Sequence, residues 1–246
     1  VNATPTPAAN AGAATTTRAA EAETEATMPT RTALIVGGGG RIACDRLRRL
    51  ASNADFIVGA DAGIAHLADC RLKADAIIGD LDSATPAQIR QLPPQRIIHD
   101  PAQDDTDLEK AIRWCLEREY CQAADIVSVT GGRLDHTLNA VSLILRYQDR
   151  LHITLHDRDG YASFAAQSPL SLNCRIGEKL SLIPAPAAYG LHSAGLRYPL
   201  NGLDLVTGGR DAISNEATAV NVELTWSEGS FLVYRQIGDH QPEYKT

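Results

Sequence analysis

The chain has no hydrophobic run of the roughly 20 residues that a membrane-spanning helix needs. It has no Cys-x-x-Cys pair either. Its five cysteines, Cys44, Cys70, Cys115, Cys121 and Cys174, are scattered and odd in number. That pattern disfavours a zinc site or a disulfide framework and favours buried thiols in a reducing cytosol, so a cytoplasmic protein is expected. Basic charge is in deficit: 23 Lys and Arg face 30 Asp and Glu, for a net charge of −7. Nucleic-acid binders are more often basic. Neither nucleic acid nor membrane is an expected partner, and any polyphosphate must be held by a local cationic cluster or a metal. Residues 1–30 lack the apolar stretch of a secretory signal, and Glu21, Glu23 and Glu25 argue against a transit peptide. Rich in Ala, Thr, Pro and Glu, they read as a disordered tail.

Apolar content is 44%, ordinary for a folded protein, and 246 residues suit one large domain or two small ones. From Thr32 to about His156, short Val- and Ile-rich runs alternate with helical stretches. The candidate strands are Thr32–Val36, Phe56–Ala60, Ala76–Ile78, Arg96–His99, Ile126–Val129 and His152–Leu155. They mostly lack period-2 alternation, as parallel strands covered on both faces do. Thr85-Pro86-Ala87-Gln88 and Thr106-Asp107-Leu108-Glu109 carry helix-capping patterns. Leu108, Ala111, Ile112 and Cys115 then form one helical face, and Leu138, Val141, Ile144 and Leu145 a second. After Asp157 helical periodicity stops, and short runs such as Leu180–Ile183, Ala219–Leu224 and Phe231–Tyr234 are separated by turn residues. The expectation is an α/β protein: a parallel-sheet, Rossmann-like domain over 31–159, then a small all-β sandwich domain over 160–246.

Three acidic motifs follow the apolar runs: Gly79-Asp80-Leu81-Asp82-Ser83, Gln103-Asp104-Asp105-Thr106-Asp107 and Gly131-Gly132-Arg133-Leu134-Asp135-His136. Open α/β sheets bind ligands beyond the carboxyl ends of their strands. Asp80 and Asp82, two apart in extended chain, share a face and repel unless a cation lies between them. Magnesium, a hard ion that bridges carboxylates to phosphates, suits that pair; a simple turn before Pro86 also accounts for it. Asp104, Asp105 and Asp107 crowd a helix start. Acids favour the helix dipole there, but three exceed what capping needs. Lys110, one turn on, can meet a phosphate or merely pair with Asp107. Gly131 and Gly132 allow close backbone approach, and Arg133 offers a planar fork for phosphate. The run Gly37–Gly40 after the first strand, and Asp61 after the second, are further candidates for a phosphate or sugar cradle.

Together these motifs resemble the thiamine pyrophosphokinase family, whose Gly-Asp-x-Asp-Ser, Gln-Asp-x-Thr-Asp and Gly-Gly-Arg-x-Asp-His they match in order. Asn139 falls near an Asn common there. Gly195–Leu200 and Ser214-Asn215-Glu216 resemble its thiamine-binding segment, so the likeness spans about 33–234. The resemblance implies pyrophosphoryl transfer from ATP to the thiamine hydroxyl with magnesium, giving thiamine diphosphate and AMP. It implies metal ligation by Asp80, Asp82, Asp107 and Asp104, and catalytic roles for Asp80, Asp82, Asp107 and Arg133. Gly37, Gly38, Asp61, Gln103, Thr106, Lys110 and Arg133 would bind ATP and its phosphates. Asp135, His136, Ser214 and Asn215 would bind the substrate. The family is a homodimer, with the β domain of one subunit completing the site of the other. Two departures stand out. The family's Asp-Gly-Gly-Ala-Asn-Arg is here Asp61-Ala62-Gly63-Ile64-Ala65-His66, with His66 a partial substitute for the Arg. An aromatic expected after Ser-Asn is replaced by Ala217, and Trp226 and Tyr198 read as core rather than as its substitute. Other alcohols, such as a hydroxymethylpterin, and a non-catalytic nucleotide or thiamine sensor are the alternative readings.

Overall fold

The structure is a computed structural model and describes residues 30–79, 86, 90, 93–100 and 104–237. The expected N-terminal tail, Asp80, Asp82, Gln103 and the cap at Thr85 lie outside these residues.

The first half alternates strands and helices: β1 (Thr32–Val36), α1 (Cys44–Asn53), β2 (Phe56–Ala60), α2 (Gly63–Asp69), β3 (Ala76–Gly79), β4 (Ile97–His99), α3 (Asp107–Arg118), β5 (Ala123–Val127), α4 (Leu134–Tyr147) and β6 (His152–His156). The six strands are parallel in the order β4-β3-β2-β1-β5-β6. Successive residues of β1 face opposite sides of the sheet. Ala33 and Ile35 pack with α3 and α4, while Leu34 and Val36 pack with α1 and α2. Both faces are therefore dry, which is why Thr32–Val36 reads as a continuous apolar run rather than an alternating one. The chain moves from β1 through β2 and β3 to β4, then crosses back to β5 on the other side of β1. That reversal opens a crevice at the carboxyl ends of β1 and β5.

From β7 onward the pairing is antiparallel: β7 (Gly160–Ala165), β8 (Leu170–Asn173), β9 (Lys179–Ala194), β10 (Asn201–Val206), β11 (Ala212–Glu216), β12 (Asn221–Thr225) and β13 (Glu228–Gln236). The long β9 pairs with β13 and β12 as well as with β10 and β11, and these strands enclose their own apolar cluster. Phe231, fully buried, meets the Trp226 ring edge-on at 4.8 Å at its centre. Arg46 of α1, itself buried, ties the two halves. It donates to the carbonyls of Asp157 and Gly160 in the β6–β7 turn and to His156 Nδ1. Arginine only donates, so Nδ1 accepts and His156 Nε2–H donates to Asp125 Oδ1 at 2.7 Å.

Four expectations need correction. β5 ends at Val127 rather than Val129, because Ser128 turns into the left-handed region (φ 58°) and the chain leaves the sheet. The buried stripe of α4 is Ala140, Leu143, Ile144 and Tyr147, while Leu138 is 61% exposed. Tyr198 is not core but 63% exposed. Cys44 and Cys70 form a disulfide, because α1 and α2 pack on the same sheet face and bring together residues 26 apart. Cys115, Cys121 and Cys174 are free and buried as expected. The disulfide removes the cysteine argument for a reducing compartment. Among the described residues no helix is long and apolar enough to cross a membrane.

Candidate active site

A cleft of about 550 Å³ opens at the carboxyl ends of β1, β2 and β5, against the start of α3. Of the residues singled out in the sequence, Gly37, Gly38, Asp61, Asp104, Thr106, Asp107, Lys110, Arg133 and His136 line it. Asp135, Ser214 and Asn215 do not. Four segments far apart in the chain therefore meet at the sheet crevice.

The start of α3 is built by Thr106. Its Oγ1 accepts from Glu109 N at 3.3 Å and donates to Asn139 Oδ1 on α4 at 3.1 Å, so one cap ties two helices of the site. Asp107 follows at the first helical position. Its carboxylate lies against Gly79, where an added Cβ would stand 2.9 Å from Oδ2. Gly79 also has φ 140°, which side-chain-bearing residues rarely adopt. The glycine that opens the first acidic motif is thus shaped to receive the last acid of the second. Lys110 Nζ is buried, donating to Asp107 Oδ1 at 3.1 Å and to the Asp100 carbonyl at 2.8 Å. Asp105 pairs with Arg113 at 2.8 Å. The acids here are oxygen donors of the type magnesium prefers. No group of three His, Cys, Asp or Glu side chains arranged to hold a metal occurs among the described residues.

The glycine run packs on the loop after β5. Gly37 N donates to Val127 O, Gly39 N to Ser128 O and Gly40 N to Thr130 O. A Cβ at Gly37 or Gly39 would come within 2.9 Å of this loop. Those three amides are occupied by protein, so the run serves first to let two backbones touch. Gly38, whose added Cβ would stand 2.8 Å from Ala62 Cβ, lines the cleft beside Asp61. Asp61 sits at φ 50°, a left-handed conformation that Asp tolerates better than most residues. Gly63 is obligatory for sterics alone, since a Cβ there would lie 1.7 Å from Val36 O.

His66 does not face the cleft and is 3% exposed. Burial pushes its imidazole below the ordinary histidine value. Arg133 forms a two-pronged pair with Asp135, Nε to Oδ1 at 3.1 Å and Nη2 to Oδ2 at 2.5 Å, on the protein surface. The hydrogen bond from Arg133 draws the Asp135 carboxyl below its usual range. Asn215 lies in a second cavity of about 520 Å³ with Tyr198, Arg210 and Ile213. Its amide pins the Tyr198 segment, accepting from Tyr198 N and donating to Tyr198 O. Ser214, at φ 58° in a bulge of β11, is exposed. The two cavities share no lining residue within one chain. Sequence reasoning missed the bracing roles of Ser128 and Gly63, and it read His66 as a partial substitute for an arginine, whereas the ring is a buried brace bonded to Ser128 and Ile42.

A family profile described as thiamin pyrophosphokinase, catalytic domain, matches residues 47–155. The thiamine pyrophosphokinase of Bacillus subtilis is 26% identical over 211 residues, covering 83% of this chain and 98% of the relative. Thiamin pyrophosphokinase 1 of Caenorhabditis elegans is 30% identical over 160 residues, covering 60% of this chain and 64% of the relative. The crystal structure of the Bacillus subtilis protein superposes with a TM-score of 0.72 over 84% of this chain and 99% of that one. The yeast thiamin pyrophosphokinase shares the fold at a TM-score of 0.73 with 14% identity. With the second and third motifs lining one crevice and relatives matched over nearly their whole length in both sequence and structure, the chain matches the thiamin pyrophosphokinase family in sequence and in fold.

Proposed function

We propose that this protein transfers the pyrophosphoryl group of ATP to the hydroxyl of thiamine, giving thiamine diphosphate and AMP. The observation that carries the reading is the contact of the Asp107 carboxylate, which lines the crevice, with Gly79, the glycine that opens the first acidic motif.

The donor set suits magnesium: Asp107 and Asp104 with Asp80 and Asp82 would hold it. When bound, the ion neutralises phosphate charge and orients the oxygens. The remaining work falls to positioning and electrostatics, as in other phosphoryl transfers. Gly37, Gly38 and Asp61 receive the nucleotide, with Gln103 and Thr106 on its phosphates. Lys110, held by Asp107 and the Asp100 carbonyl, presents a fixed positive charge beside the same carboxylate. Arg133 exchanges Asp135 for a phosphate oxygen as the nucleotide binds, leaving Asp135 and His136 at the acceptor end. The thiamine hydroxyl gives its proton to Asp80 or Asp107 as its oxygen forms the bond to the β-phosphorus, the bond from that phosphorus to the α-phosphate oxygen breaks, and AMP departs with that electron pair.

Ser214 and Asn215 belong to a cavity separate from the cleft of their own chain. That separation fits a homodimer in which the β half of one subunit meets the cleft of the other. ATP as donor fits a cytoplasmic enzyme. The experiment is turnover with ATP and magnesium on two alcohols, thiamine and hydroxymethylpterin. Product from thiamine alone supports the reading; product from the pterin alone replaces it.

A further inference from the structure

We infer that His66 is a positioning residue for the Ser128–Arg133 loop and, through that loop, for the nucleotide. The second half of this statement rests on the nucleotide reading of the cleft proposed above.

His66 uses both ring nitrogens. Nε2 lies 3.2 Å from the Ile42 carbonyl, and Nδ1 lies 2.8 Å from Ser128 Oγ. A carbonyl can only accept, so Nε2 carries the proton and Nδ1 accepts from the Ser128 hydroxyl. The tautomer is fixed by its partners. One ring therefore joins three segments, α2, the chain following the glycine run, and the loop following β5, and the last of these lines the cleft.

Ser128 is where this bond matters. It is 1% exposed, and it holds φ 58°, a conformation a residue with a side chain keeps only when its surroundings hold it there. Its carbonyl accepts from Gly39 N, so the glycine run and the arginine loop meet at this residue. Val129, Gly132 and Arg133, one to five residues further on, line the cleft, and Gly131 between them is also left-handed at φ 72°. If the site behind Ser128 needed only filling, an apolar side chain would do so without the desolvation cost of an imidazole. A histidine bonded at both nitrogens instead fixes a direction and a distance.

The test compares His66→Ala, His66→Asn, Ser128→Ala and the His66→Ala/Ser128→Ala double variant with the intact chain. Steady-state kinetics are run with ATP and thiamine varied separately, and amide hydrogen exchange over residues 129–133 is followed without nucleotide. Loss of one buried hydrogen bond predicts a rise in KM for ATP of about five- to tenfold in His66→Ala, with kcat held within about twofold. The KM for thiamine should stay put. Asn places Oδ1 where Nδ1 was, so His66→Asn should recover most of the loss. The double variant should be no worse than either single one, because both remove the same bond. Should His66→Ala not fold, Ser128→Ala reads that bond from its other end. An unchanged KM for ATP, equal losses for both substrates, or additive single effects would overturn the proposal. If the intact chain turns over no ATP, the nucleotide reading fails and hydrogen exchange decides the positioning claim. Faster exchange confined to 129–133 upholds it; unchanged or globally faster exchange refutes it.

Discussion

The Asp107 carboxylate rests on Gly79 so closely that a Cβ at position 79 would lie 2.9 Å from Oδ2 and 3.0 Å from Cγ. Gly79 ends β3, and Asp107 begins α3. Between them the chain makes a whole further strand, so the contact is a product of the parallel order β3-β4 and of α3 returning over the sheet.

Gly79→Ala should therefore act on the site before it acts on the fold. The new Cβ displaces Asp107 and forces a φ of 140° on alanine, a strain of about 1–3 kcal/mol. We expect turnover to fall at least about a hundredfold, as it does when a positioned charged group is lost, with a folded protein by circular dichroism. Near-normal turnover would show that the contact is incidental.

Asp107→Asn removes the charge and keeps the shape. Lys110, only 5% exposed at its side chain, then loses its ion pair with Asp107, while its bond to the Asp100 carbonyl stays. The cost of leaving a buried ammonium less well paired is about 1–3 kcal/mol. Thermal melting should register that loss, and Asp107→Asn/Lys110→Met should recover part of it while activity stays absent. Recovery of activity in the double variant would remove Asp107 from the catalytic set.

How much of this arrangement could be read from the sequence depends on how local its cause is. β1 and β2 begin and end where their apolar runs do, because both lie between helices and are dry on both faces. Thr106 caps α3, and Leu108, Ala111, Ile112 and Cys115 form its buried face, since capping and 3.6-residue periodicity are encoded within one turn of each other. The end of β5 was not legible: Val129 is as apolar as Val127, and what stops the strand is the left-handed Ser128 held by a histidine 62 residues away. The Cys44–Cys70 bridge is likewise set by two helices sharing a sheet face, which no spacing rule contains. Leu138 matches the helical period yet points outward, because the sheet lies under Ala140, Leu143 and Ile144 instead. The acidic motifs were visible, but the reason for Gly79 beside them was visible only in three dimensions.

The disulfide closes a loop of 26 residues, which by chain entropy stabilises the fold by about 3 kcal/mol. Cys44→Ser/Cys70→Ser should lower the melting temperature by roughly 10 °C at this chain size. A reducing agent should do the same to the intact chain and nothing to the double variant. Equal melting curves in all four conditions would mean that the bridge adds no stability.

His66 gives the stability a pH dependence of definite sign. Burial holds its pKa below the ordinary 6.5, aided by Arg41 and opposed by the Ile42 carbonyl and Asp69. The unfolded chain therefore takes up the proton first, and its contribution to stability is lost as pH falls through the ordinary histidine range. The melting temperature should drop between pH 7 and pH 5, and His66→Asn should flatten that slope. An identical slope in both would assign the acid sensitivity to other groups.

The reaction itself is tested most directly by the nucleotide it releases. With ATP, magnesium and thiamine, the account predicts AMP and thiamine diphosphate in equal amounts, with no AMP when thiamine is left out. ADP with thiamine monophosphate in their place would contradict it, since the group moved would then be a single phosphoryl.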